Sequence, residues 1–88
     1  MKKISVIGDQ MKCYHVTTVK KLDRYRQLGW IKPPVRAWIT INAAERFSLQ
    51  TGRRIILRLD IEKYEKLDGH RGEAIISYDP INVPEGIV

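Results

Sequence analysis

Residues 13–17 read Cys, Tyr, His, Val, Thr, a run of strand formers in which Tyr14 and Val16 fall on one face and His15 and Thr17 on the other. The pattern predicts a half-buried strand. Thr18 then stands where a hydroxyl caps a helix, Val19, Leu22, Tyr25 and Leu28 recur at helical spacing, and Gly29 supplies the stop. Pro33 and Pro34 break regular pairing, after which Val35, Ala37, Ile39 and Ile41 alternate with Arg36, Trp38 and Thr40, predicting a strand over 35–41. Asn42 with Glu45 three residues on forms a capping-box variant, opening a second helix that carries Ala43, Ala44 and Phe47 and closes at Gly52.

The sharpest alternation lies in 54–61, where Ile55, Leu57, Leu59 and Ile61 oppose Ile56, Arg58 and Asp60. Residues 62–72 are dominated by charge and glycine, with Tyr64 and Leu67 as anchors; they read as a loop with room for one helical turn, and as a candidate ligand-side loop. A last clear strand covers 73–77, Tyr78, Asp79 and Pro80 make a turn, and 81–84 form a short edge segment. Near the start, Ile4, Ser5, Val6 and Ile7 are strand-like and end at Gly8 and Asp9; they are either an edge strand or an extension preceding Met11. This order predicts one α+β domain over 1–88, with a small mixed or antiparallel sheet and two short flanking helices.

Composition narrows the function classes. A chain of 88 residues, 43% hydrophobic and 30% charged, has the balance of one small globular domain. At this length about two thirds of the unfolded surface is buried, so the core is thin and a homodimer would add stability. The net charge of +6 favours phosphate-bearing or acidic partners: RNA, DNA or an acidic protein. The single Cys13 has no partner for an internal disulfide and reads as a buried structural thiol, which points to a reducing cytoplasm. Lys2 and Lys3 precede too short an apolar run for a secretory segment, and no membrane association is expected.

Familiar catalytic patterns are missing. The chain has no G-x-G-x-x-G or G-x-x-x-x-G-K-[ST] run, and His15, His70 and Cys13 offer too few soft ligands for zinc. Ser48 or Ser77 with His15 has no nucleophile-elbow setting. What remains is His15 on the first strand, Trp38 on the second and Glu73 opening the last clear one.

Taken in order, Tyr14, His15, Val16, Thr17 and Thr18, a helix ending at Gly29, then Ala37, Trp38, Ile39 and Thr40 before the Ala43, Ala44, Glu45, Arg46, Phe47 helix, resemble the ADP-ribosyltransferase superfamily. Glu73, Ala74, Ile75, Ile76, Ser77, Tyr78 and Asp79 extend the likeness. The pattern is similar to the poly(ADP-ribose) polymerase branch, with its His-Gly-Ser/Thr strand, a following aromatic and a glutamate opening a late apolar strand. It is similar also to the RNA 2′-phosphotransferases. The resemblance implies an ADP-ribosyltransferase-like fold that takes NAD as substrate. It implies that His15 bonds the adenosine-side ribose, Thr17 helps hold the nicotinamide half, and Trp38 stacks on the nicotinamide ring in place of the usual tyrosine. The backbone around Val16, where the family often has glycine, would contact the carboxamide. Glu73 would bond the nicotinamide ribose and stabilise charge as the glycosidic bond breaks. His15 and Glu73 are thus the expected catalytic pair, and His15, Thr17 and Trp38 the expected NAD-binding set.

Simpler readings stand beside these. His15 is then a strand histidine satisfied by a backbone partner, Trp38 a core residue, Glu73 an exposed carboxylate and Thr17 a residue leading into a helix. Lys20, Lys21, Arg24, Arg26, Arg53 and Arg54 form a solvated basic face, and Tyr25, Tyr64 and Trp30 pack. On that view the domain is a non-enzymatic basic module for nucleic acid or acidic protein. A 2′-phosphotransferase activity is a third possibility, with Arg36, Arg54 and Arg58 as its strand-borne cations.

Overall fold

A computed structural model describes residues 10–88, so the expected strand at 4–7 lies outside the described residues. The chain runs β1 (Met11–Thr17), α1 (Val19–Leu28), β2 (Trp30–Ile31), β3 (Val35–Trp38), α2 (Ile41–Thr51), β4 (Ile55–Ile61), β5 (Glu65–Lys66), a 3-10 turn (His70–Gly72), β6 (Ala74–Ser77) and β7 (Ile81–Asn82). It is an α+β domain whose strand pairs are all antiparallel. Five strands form one sheet in the order β4-β1-β3-β6-β5, and β2 pairs with β7 in a second, two-stranded sheet. No helix of the described residues is long and apolar enough to cross a membrane.

The alternation in β4 does what the sequence predicts. Ile55, Leu57, Leu59 and Ile61 are buried while Arg58 and Asp60 are exposed. Register carries that face across the sheet, because Cys13 pairs with Leu59 and His15 with Leu57. Val35, Ala37 and Ile75 continue it, and Leu22 of α1 and Ile31 of β2 complete the core cluster. Tyr25 and Tyr64 pack against its rim, whereas Trp30 keeps 49% of its surface exposed and is not the packing residue it was expected to be. Cys13 is fully buried, and burial, aided by the charge of Asp60, pushes its thiol up to about 12. Helix α2 lies against β1, β3 and β4. Adjacent residues Val16 and Thr17 are both buried, so the end of β1 is covered on both faces rather than half-buried.

The largest departure from the expected elements is at residues 39–42. The 35–41 strand ends at Trp38, and the cap of α2 is Thr40, not Asn42. The Thr40 hydroxyl accepts from the Ala43 N–H at 3.1 Å, so the Asn42 and Glu45 pair is not the capping box. The alternation in the sequence runs on through Ile41, but the inward positions of the helix are Ala43 and Ala44. Smaller revisions follow from pairing. The first strand starts at Met11, two positions before its expected start, matched to Ile61. The expected 62–72 loop contains a short strand, since Glu65 and Lys66 pair with Ile76 and Ile75. The last clear strand starts at Ala74, one residue after Glu73, although the Glu73 carbonyl still accepts from Ile39 N–H at 2.8 Å.

One junction in the large sheet is short. β1 and β4 are matched along seven positions, but β1 and β3 are matched only at Tyr14 and Trp38, the last residue of β3.

Leu57 is fully buried on β4. Leu57→Ala should cost about 2–5 kcal/mol, read as a lower urea midpoint at unchanged slope. Thr18→Ala should cost about 1 kcal/mol, because the Thr18 hydroxyl caps α1 by accepting from Lys21 N–H.

Candidate functional site

A cleft of about 550 Å³ lies beside the single matched pair of β1 and β3. His15 stands at its β1 wall and Arg36 and Trp38 at its β3 wall. The imidazole crosses the gap, with Nδ1 2.6 Å from the Arg36 carbonyl oxygen. A carbonyl only accepts, so Nδ1 carries the proton and donates. Nε2 of the neutral ring is then an acceptor, and the Tyr25 hydroxyl, 3.1 Å away, donates to it. Thr17 Oγ1 in turn donates to the Tyr25 oxygen at 3.5 Å. The three side chains form one directed chain that ends on the β3 backbone. Burial lowers the His15 pKa; the bond to Arg36 opposes this in part, and the charges of Lys21 and Arg53 add to it.

Those cations belong to the cleft itself. Lys21, Arg36 and Arg53 line it, against Asp68 as the one acid. Arg46 is paired with Glu73, whereas none of the three has a carboxylate at contact distance among the described residues. Arg53 sits 5.7 Å from the centre of the Phe47 ring, which fixes its guanidinium at the cleft wall.

Trp38 is the partition between this cleft and a smaller hollow. Its ring centre lies 5.3 Å from that of Phe47 on α2 and 5.6 Å from that of His70, which meets it nearly edge-on at 83°. All three aromatic residues line both spaces. The hollow, about 200 Å³, is completed by Arg46, Gln50, Arg71 and Glu73. Glu73 is held from two sides: Oε1 accepts from Arg46 Nη2 at 2.8 Å, and Oε2 accepts from Thr40 Oγ1 at 3.4 Å. Thr40 therefore caps α2 and touches the carboxylate with one hydroxyl.

The segment leading to Glu73 is strained. His70 and Arg71 have φ of 51° and 57°, between Gly69 at 79° and Gly72 at 72°. Left-handed backbone costs a residue with a Cβ about 1–2 kcal/mol. Two bonds close the turn, from Gly72 N–H to the Gly69 carbonyl and from Glu73 N–H to the His70 carbonyl, each 2.9 Å.

The structure thus brings His15 and Trp38 to one cleft and puts Glu73 in the adjoining hollow, where Trp38 is the shared wall. Thr17 is not brought there: it is 1% exposed and lies behind Tyr25. The simpler reading of His15 is also partly met, since it has a backbone partner. Sequence reasoning missed Tyr25, assigned only to packing, and Lys21 and Arg53, assigned to the basic surface. For Tyr25 a signal existed, because a tyrosine on a core-facing helix stripe brings a hydroxyl that requires a partner. Comparison of the chain with protein-family models, with curated proteins and with solved structures returns no match.

Because the folded chain holds His15 neutral, the unfolded chain binds the extra proton first, near pH 6.5. Stability from this site is complete above about pH 6.5 and declines as pH falls toward the lowered folded value. Urea unfolding across that range should show the decline in the parent chain and a flatter dependence in His15→Gln. An equal slope in both would remove His15 as its source.

Proposed function

We propose that the cleft binds NAD and that the domain transfers ADP-ribose from it to an acceptor, as the ADP-ribosyltransferase resemblance implies. The observation that carries this reading is the convergence of His15 and Trp38 on one cleft, with Glu73 beyond the indole. The cleft volume of about 550 Å³ lies inside the range of about 300–1,000 Å³ common to small-molecule sites. The excess of Lys21, Arg36 and Arg53 over Asp68 suits a pyrophosphate.

In this reading the adenosine-side ribose lies against His15, whose two ring nitrogens are already bonded, and donates a hydroxyl to the Tyr25 oxygen, and the nicotinamide ring rests on Trp38. The indole offers a stacking face and an N–H donor. Thr17 acts at one remove, by orienting the Tyr25 hydroxyl. Glu73 keeps lone pairs available on both oxygens after its bonds to Arg46 and Thr40, and one of them accepts from a nicotinamide-ribose hydroxyl. Reaction breaks the bond between ribose C1′ and the pyridinium nitrogen. Nicotinamide leaves with the bonding pair and becomes neutral, while the ribose takes up positive charge that the fixed carboxylate stabilises. An acceptor lone pair then closes on C1′ and its proton passes to solvent. The products are ADP-ribosylated acceptor, nicotinamide and a proton.

Titration calorimetry with NAD tests the assignment. Trp38→Ala should abolish the binding heat. Glu73→Gln should keep it while nicotinamide release falls by about 100-fold or more. A parent chain that gives no heat at millimolar NAD refutes the transferase reading in favour of a basic binding module.

A further inference from the structure

We infer that the acceptor is a nucleic-acid strand and that the turn over 69–72 seats one of its phosphates in the small hollow beside Trp38. This rests on the transferase reading for the word acceptor, but the seat itself is read from charge and strain. Two consecutive residues with side chains, His70 and Arg71, hold left-handed backbone between two glycines that adopt it freely. Glycine at either position would relieve the strain, so the side chains are kept at a cost to the fold. What they do is visible in the walls. His70 braces the indole edge, and Arg71 lines the hollow with Arg46.

The charges select the sign of the occupant. Glu73 is the one acid in the hollow and is already matched by Arg46, which leaves the exposed Arg71 guanidinium without a carboxylate at contact distance among the described residues. A cationic or neutral group gains nothing there, and an anion does. Space of about 200 Å³ takes a phosphate with part of a ribose, not a folded surface. A strand is favoured over an acidic peptide because Trp38 and Phe47 lie beside the cations, and bases stack on such rings where carboxylate side chains do not.

The test uses the whole chain and a fluorescein-labelled single-stranded RNA or DNA dodecamer, read by anisotropy over a range of salt. Arg71→Gly removes the guanidinium and the strain together. It should weaken binding several-fold, lower the slope of log K against log salt by about 1, and raise the melting temperature by about 4–8 °C. Arg71→Lys should keep the salt slope of the parent. Loss of binding together with gain of stability is a combination that a purely structural role for Arg71 does not produce. Unchanged dodecamer affinity in Arg71→Gly overturns the seat, and so does competition by polyglutamate at the same concentration as by unlabelled dodecamer. NAD binding by the parent chain is measured separately. A chain that holds the dodecamer through Arg71 and ignores NAD keeps the phosphate seat and loses the transferase reading.

Discussion

The carbonyl of Arg36 is bonded by an imidazole from the neighbouring strand, and that exchange sets up everything around it. Backbone acceptors inside a sheet require partners, and leaving one bare costs free energy comparable to a lost hydrogen bond. Here β1 and β3 match at a single position, and His15 reaches across beside it. The same contact fixes the ring tautomer and points Nε2 at Tyr25, at the wall of the cleft. His15 therefore has a structural role at the wall of the cleft, bonded to the β3 backbone on one side and to Tyr25 on the other.

Much of the architecture was legible because it rests on local rules. The period-two pattern of β4, the glycines ending both helices and the hydroxyl before α1 each act within a few residues. Legibility failed where two rules overlap, as at Thr40, whose position fits both the alternation of a strand and the cap of a helix. It failed again at β5, a two-residue strand that exists only because β6 is there to receive it. In the candidate site, order along the chain pointed to His15, Trp38 and Glu73, and also to Thr17, which the fold buries behind Tyr25. It did not point to Tyr25, Arg46 or Arg53, because their roles are set by packing between elements distant in sequence.

Charge is partitioned with unusual economy for so short a chain. The carboxylate of Glu73 is matched locally by Arg46, while the cations along the cleft are left open to solvent or to a ligand.

Trp38 forms a wall common to the cleft and the hollow. An indole shared by two spaces cannot be re-aimed for one of them without reshaping the other.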